Sequence, residues 1–186
     1  MWSGNVDETT LSVLDIALWH LQGRVLSEPV YKLAGAARDT VPAYASTVPN
    51  MGDPETYARH AAACLDRGYT AYKIHPYYFW DPKTEENVPG RPSHIEADLS
   101  VCRAVRERVG DEMRQMYDPW GTYGGYNEAL RVGRVLESLD FFWYEHPMSE
   151  YRVESYVDLC RALDIPICSP EIAEGSIFTR ADWILR

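Results

Sequence analysis

Three things are missing from this chain: a C-x-x-C pair, an apolar run long enough to cross a bilayer, and an excess of positive charge. Each absence removes a class of function. The four cysteines, Cys64, Cys102, Cys160 and Cys168, lie 38, 58 and 8 residues apart (102 − 64, 160 − 102, 168 − 160), so neither a metal clip nor a dithiol redox motif is spaced correctly. They read as reduced, mostly buried thiols, which predicts a cytoplasmic protein. Lys and Arg number 18 against 28 Asp and Glu, for a formal net charge of −10, and such a surface repels a phosphate backbone. No nucleic-acid partner and no membrane partner are therefore expected. No basic segment followed by an apolar stretch opens the chain, so no secretory leader is read.

Also missing is a glycine-rich turn after the first strand signal. Ser46-Thr47-Val48-Pro49 stands there, and Gly121, Gly124 and Gly125 lack G-x-G-x-x-G spacing. A dinucleotide-binding open sheet is thereby disfavoured. What is present instead is alternation. Residues 9–22 place Leu11, Leu14, Ala17, Leu18 and Leu21 on one helical stripe, with Gly23 as the expected stop, and Pro29 and Gly35 bracket a second short helix. Strand signals follow at 41–47 and 70–76, then in MRQMYDP, FFWYEHP and IPICSPE. Helical signals follow each of them: one running from the Asp53-Pro54-Glu55 cap to Gly68, then 94–110, 129–139, 156–163 and roughly 179–186. Strand and helix in strict succession imply a parallel sheet covered by helices, an α/β fold.

The chemistry sits in three acids, each directly after one of these strands: Asp118, Glu145 and Glu171. Their spacing, 145 − 118 = 27 and 171 − 145 = 26 residues, is that of one β/α unit. In a parallel barrel this brings all three to the C-terminal ends of the strands, where such folds keep their active sites. Carboxylates so close repel unless a cation lies between them, and hard oxygen donors favour Mg²⁺. Lys73 and His75, two apart on the second strand, face the same interior.

The segment DIALWHLQGRVLSEPVYKLAGAARDTVPAYAS, the Lys73-Ile74-His75 strand, Asp118, Glu145-His146-Pro147 and Ser169-Pro170-Glu171 together resemble the mandelate racemase and muconate lactonizing branch of the enolase superfamily. The resemblance covers essentially the whole chain and implies a partial TIM-type (β/α) barrel of about five units, preceded by helices from the end of a capping domain. Residues 1–40 would be that helical remnant with its linker, and 41–186 the incomplete barrel. It implies Mg²⁺ on Asp118, Glu145 and Glu171, with Lys73 in the catalytic lysine motif. The implied reaction is removal of the proton α to a carboxylate, with the metal stabilising the enediolate charge. Loss of a β-hydroxyl then dehydrates a sugar acid to a 2-keto-3-deoxy acid, whereas reprotonation racemises or epimerises a hydroxy acid.

The chain departs from the branch at two points. Many members carry Lys-x-Lys on the second strand, so here either Lys73 or His75 is the base. Many also carry Asn two residues after the first metal ligand, where this chain has Trp120. Other residues invite plainer readings. Glu174 competes with Glu171 but is expected to point away or cap the next helix, and His20, His60 and His94 read as helix-surface residues. His146 lines the pocket or turns to a backbone partner. In the long loop 76–92, Tyr77, Tyr78, Phe79 and Trp80 either border a sugar-acid pocket or pack against the capping domain.

Size introduces a tension. A closed barrel takes roughly 250 residues and eight strands, whereas five β/α units fill residues 41–186. The expectation is a truncated chain, inactive alone, whose parent carries a later His-Asp pair and self-associates. The rival reading is a noncatalytic piece that associates with a partner half.

Overall fold

In a computed structural model of the chain, residues 8–75, 80–81, 86–87, 95–172, 181 and 183–185 are described. They fall into two compact units, residues 8–42 with 181 and residues 43–172 with 183–185.

The first unit holds α1 (Glu8–Leu26) and α2 (Val30–Leu33). The expected stop at Gly23 is not one: α1 runs a further three residues. Gly23 matters differently. The Glu28 amide donates to its carbonyl at 3.0 Å, and a Cβ on residue 23 would lie 2.9 Å from the Glu28 oxygen, so glycine lets the chain fold back against the helix. Nor is the apolar stripe buried: Leu11, Leu14, Leu18 and Leu21 are all at least half exposed, as are Val13 and Ile16 on other faces.

In the second unit, β1 (Ala45–Ser46), β2 (Ala71–Ile74), β5 (Arg114–Tyr117), β6 (Trp143–Glu145) and β7 (Ile167–Cys168) form one sheet in the order β1-β2-β5-β6-β7. Every pairing is parallel, with Ser46 opposite Lys73, Lys73 opposite Met116, Met116 opposite Trp143, and Glu145 opposite Cys168. A short antiparallel pair, β3 (Trp80–Asp81) and β4 (Glu86–Asn87), lies within the long loop. The helices α3 (Pro54–Asp66), α4 (Ile95–Val109), α5 (Tyr126–Ser138) and α6 (Val153–Ala162) fill the connections between sheet strands. The helix expected near 179–186 falls largely outside the described residues, and so do Tyr77, Tyr78, Phe79, His94 and Glu174. No helix among the described residues is long and apolar enough to cross a membrane.

Local chemistry explains the elements. Asp53 caps α3 by accepting from the Thr56 amide at 2.9 Å, Pro54 starts the helix, and Gly68 at φ +89 lets the chain turn away after it. Arg106 and Arg108 sit in the last turn of α4, where cations offset the exposed carbonyls. β1 and β7 are shorter than their sequence signals because each lies at an edge with one partner among the described residues, and prolines at 42, 166 and 170 cannot donate to a ladder. Period-two alternation then divides the sheet. Tyr72, Ile74, Tyr117 and Tyr144 join the core with Tyr57, Leu99, Val105, Val132, Leu136 and Leu159 from the helices. Lys73, Met116 and Glu145 take the opposite face, and the site is built there.

The free cysteines divide evenly: Cys64 and Cys102 are buried, Cys160 and Cys168 exposed. "Mostly buried" therefore overstated the case, since two of the four lie toward the surface at α6 and the edge strand β7.

Candidate active site

Asp118 follows β5 directly, Glu145 is the last residue of β6, and Glu171 lies three residues beyond β7. Each offers one carboxylate oxygen, and these atoms lie within 4.8 Å of one another. Asp118 is 1% exposed, while the Glu145 and Glu171 side chains are 13% and 38% exposed.

Lys73 is also buried, at 7% exposure. Its ammonium donates to Asp118 Oδ2 at 3.0 Å and to Glu145 Oε1 at 2.9 Å, so a cation already lies between two of the three acids. Burial alone would push the lysine pKa down, but its hydrogen bonds and charge contacts with Glu145 and Asp118 raise it above the ordinary value. Asp118 shows the mirror image. Burial would raise it, yet His75 and Lys73 hold it below the usual carboxylate range. His75 meets Asp118 Oδ2 through Nε2 at 2.9 Å. Lys73 and His75 thus converge on one carboxylate, as the i, i+2 spacing predicts.

Supporting groups fix these side chains. Thr47, buried just after β1, accepts from the His75 amide at 2.7 Å, and its hydroxyl lies 3.5 Å from His75 Nδ1. Trp143 Nε1 donates to Glu145 Oε2 at 2.9 Å. The Trp120 amide donates to Asp118 Oδ1 at 2.9 Å, with Trp120 at φ +53 and Gly121 at φ +72 making the turn away from β5. His146 is 1% exposed, and its Nδ1 lies 3.1 Å from Glu171 Oε2. Of its two expected orientations, the ring takes the one toward the acids. Its backbone meanwhile ties the end of β7 to the turn after β5: the His146 amide donates to the Cys168 carbonyl at 3.0 Å, and the Gly121 amide donates to the His146 carbonyl at 2.6 Å.

His60 departs from its reading as a surface residue. It is half-buried, with Nδ1 2.7 Å from the Tyr72 hydroxyl, because α3 lies directly over β2. Thr47, Trp143 and Glu150 were not anticipated from sequence. Trp143 could have been, since it stands two residues before Glu145 and must share its face. Thr47 and Glu150 carry no such signal, because their partners are 28 and 21 residues away.

The donor set suits a hard divalent cation: three carboxylates from three strands, neutralised here in part by an ammonium. A cavity of about 650 Å³ opens elsewhere, at the N-terminal ends of β5 and β6, beside Arg106, Met113 and Phe141. It is remote from this chemistry, and its Arg106 is spent on the Leu139, Gly110 and Asp140 carbonyls.

Known proteins resemble this chain in both sequence and fold. D-glucarate dehydratase from Agrobacterium tumefaciens, solved with magnesium, superposes with a TM-score of 0.82 at 43% identity, over 95% of this chain and 45% of that one. A mandelate racemase/muconate lactonizing protein from Paracoccus denitrificans, also solved with magnesium, gives 0.78 at 30% identity over 95% and 45%. L-talarate/galactarate dehydratase of Salmonella typhimurium is 29% identical over 87% of this chain and 37% of its own length. The chain thus spans less than half the length of these relatives. Residues 56–184 match the family described as enolase C-terminal domain-like, and the chain belongs to that family.

Proposed function

We propose that this chain carries the metal-binding side, and one half of the proton-transfer machinery, of a sugar-acid dehydratase. One observation carries the reading: three carboxylates from successive strands converge within 4.8 Å, and the Lys73 ammonium lies against two of them. Asp118, Glu145 and Glu171 would hold Mg²⁺. When bound, the ion supplies Lewis-acid stabilisation of the charge that develops as the proton α to the substrate carboxylate leaves.

The chain's own groups do the rest. Lys73 and His75 both contact Asp118 and supply the groups that bind the substrate carboxylate and move the proton. Trp143 and Thr47 hold Glu145 and His75 in place. Departure of a β-hydroxyl as water then yields an enol that tautomerises to the 2-keto-3-deoxy acid. Dehydration is preferred over racemisation because the relatives include dehydratases of talarate or galactarate, arabinonate and D-gluconate. A racemase of N-succinyl-L-Arg/Lys and a D-galactarolactone cycloisomerase are also among the relatives and define the alternative.

The test is calorimetric titration of Mg²⁺, or Mn²⁺ as its spectroscopic substitute, into the 186-residue chain. A single saturable site is expected, weakened at least 10-fold in Glu145→Gln, and an acid sugar such as D-glucarate should bind only after the metal. Absence of a saturable site, or full affinity in the variant, would sink the proposal.

A further inference from the structure

Glu150 is an acid with no place in the reaction outlined above, yet it is buried at 6% exposure in the loop after β6. A buried carboxylate needs donors, and this one finds three of them on the neighbouring loop. Its Oε1 accepts from the Ser169 hydroxyl at 3.2 Å and from the backbone amide of Glu171, and its Oε2 accepts from the Ile172 amide at 2.9 Å. The same Oε1 lies 3.9 Å from His146 Nε2, while His146 Nδ1 faces Glu171 Oε2 at 3.1 Å. The imidazole therefore spans the two acids.

The segment so held is the one least able to hold itself. β7 is a two-residue edge strand, and Pro170 contributes no amide, so residues 169–172 lie beyond any ladder. Glu171 is also the most exposed of the three acids. Asp118 and Glu145 are fixed by Lys73, His75 and Trp143, whereas Glu171 depends on its turn and on His146.

We infer that Glu150 is a positioning residue for metal binding: its carboxylate replaces the missing ladder bonds of the Ser169–Ile172 turn and aims the Glu171 carboxylate at Asp118 and Glu145. The inference rests on the metal reading given above. Its chemistry requires an acceptor on both oxygens. Glutamine presents an N–H₂ group to one of the three donors, and aspartate keeps the acceptors but withdraws them by a methylene.

The experiment is a Mn²⁺ titration followed by electron paramagnetic resonance on the 186-residue chain, wild type against Glu150→Gln, Glu150→Asp, Glu171→Gln and the Glu150→Gln/Glu171→Gln double variant. Circular dichroism and melting in chelator accompany each. Loss of a group that orients a ligand typically weakens metal affinity about 10- to 100-fold, and that loss is expected for Glu150→Gln, with a smaller one for Glu150→Asp. In the Glu171→Gln background the Glu150 substitution should add almost nothing, because Glu150 acts through Glu171. Affinity unchanged within about twofold, or a loss that persists undiminished without Glu171, would overturn the inference even where melting falls, since that pattern marks a purely structural acid. Should Glu150→Gln not fold, the Glu150→Asp chain is read against the same two outcomes. A wild type without a saturable Mn²⁺ site removes the metal reading itself, a result distinct from a wild type that binds and a variant that binds equally well.

Discussion

At the scale of single residues, the site is an arrangement of charge in which Lys73 offsets Asp118 and Glu145, with His75 beside them. Asp118 and Glu145 each also have a neutral N–H donor, from the Trp120 backbone and the Trp143 indole, and the indole is testable independently of turnover. Trp143→Phe keeps an aromatic ring near Tyr44 and Phe142 but removes the N–H from Glu145 Oε2. Mn²⁺ affinity should fall about 10-fold with little change in melting, and an affinity equal to wild type would remove Trp143 from the site's support. The three acids, Lys73 and His75 were legible in the sequence because strand period and β/α period together predict which side chains meet. Thr47 and Glu150 were not, since an alcohol or acid in a loop becomes meaningful only when a distant backbone amide arrives beside it.

At the scale of elements, the turns after the strands matter more than the strands themselves. Gly121 lies at φ +72, and a Cβ there would fall 2.7 Å from His146 Nε2. Gly121→Ala should therefore destabilise the fold by about 1–2 kcal/mol from the left-handed backbone alone, measured by chemical denaturation. Displacement of His146 should also weaken Mn²⁺ binding through Glu171. A stable variant with full metal affinity would show that the turn tolerates the methyl and that His146 does not brace the acid. Helix starts were legible where a cap announced them, as at Asp53-Pro54. Strand lengths were not: 41–47 reads as a strand but pairs at only Ala45 and Ser46, because an edge position and a proline decide where ladder bonds form. The stop expected at Gly23 failed similarly, since the glycine answers to the returning Glu28 carbonyl rather than to helix propensity.

At the scale of the whole molecule, the helix-covered face of the sheet contains a polar group that no catalytic reading requires. Asp98, 5% exposed, accepts from the Tyr123 hydroxyl at 3.1 Å, and the Tyr123 and Tyr117 hydroxyls are 2.6 Å apart. Burial pushes its carboxyl up to about 7 from 3.8, despite the lowering effect of hydrogen bonds to Tyr123 and Tyr117. The folded state thus keeps a proton that the unfolded chain gives up near pH 4. Its stabilising contribution is full below about pH 4, declines from there to about pH 7, and is flat above, by on the order of 4 kcal/mol at most. Denaturation of wild type and Asp98→Asn from pH 5 to 8 should show the variant gaining on wild type as pH rises; parallel curves would refute the assignment. By itself the sequence determined the β/α alternation, the parallel sheet and the identity of the acids, because periodicity and spacing are properties of the chain alone. Tertiary structure alone decided that Thr47 seats His75, that Glu150 holds the Glu171 turn, and that the α1 stripe stays exposed in the described residues. The reason is physical: a buried polar atom takes its meaning from whichever donor or acceptor the fold brings within 3 Å, and that partner lies tens of residues away.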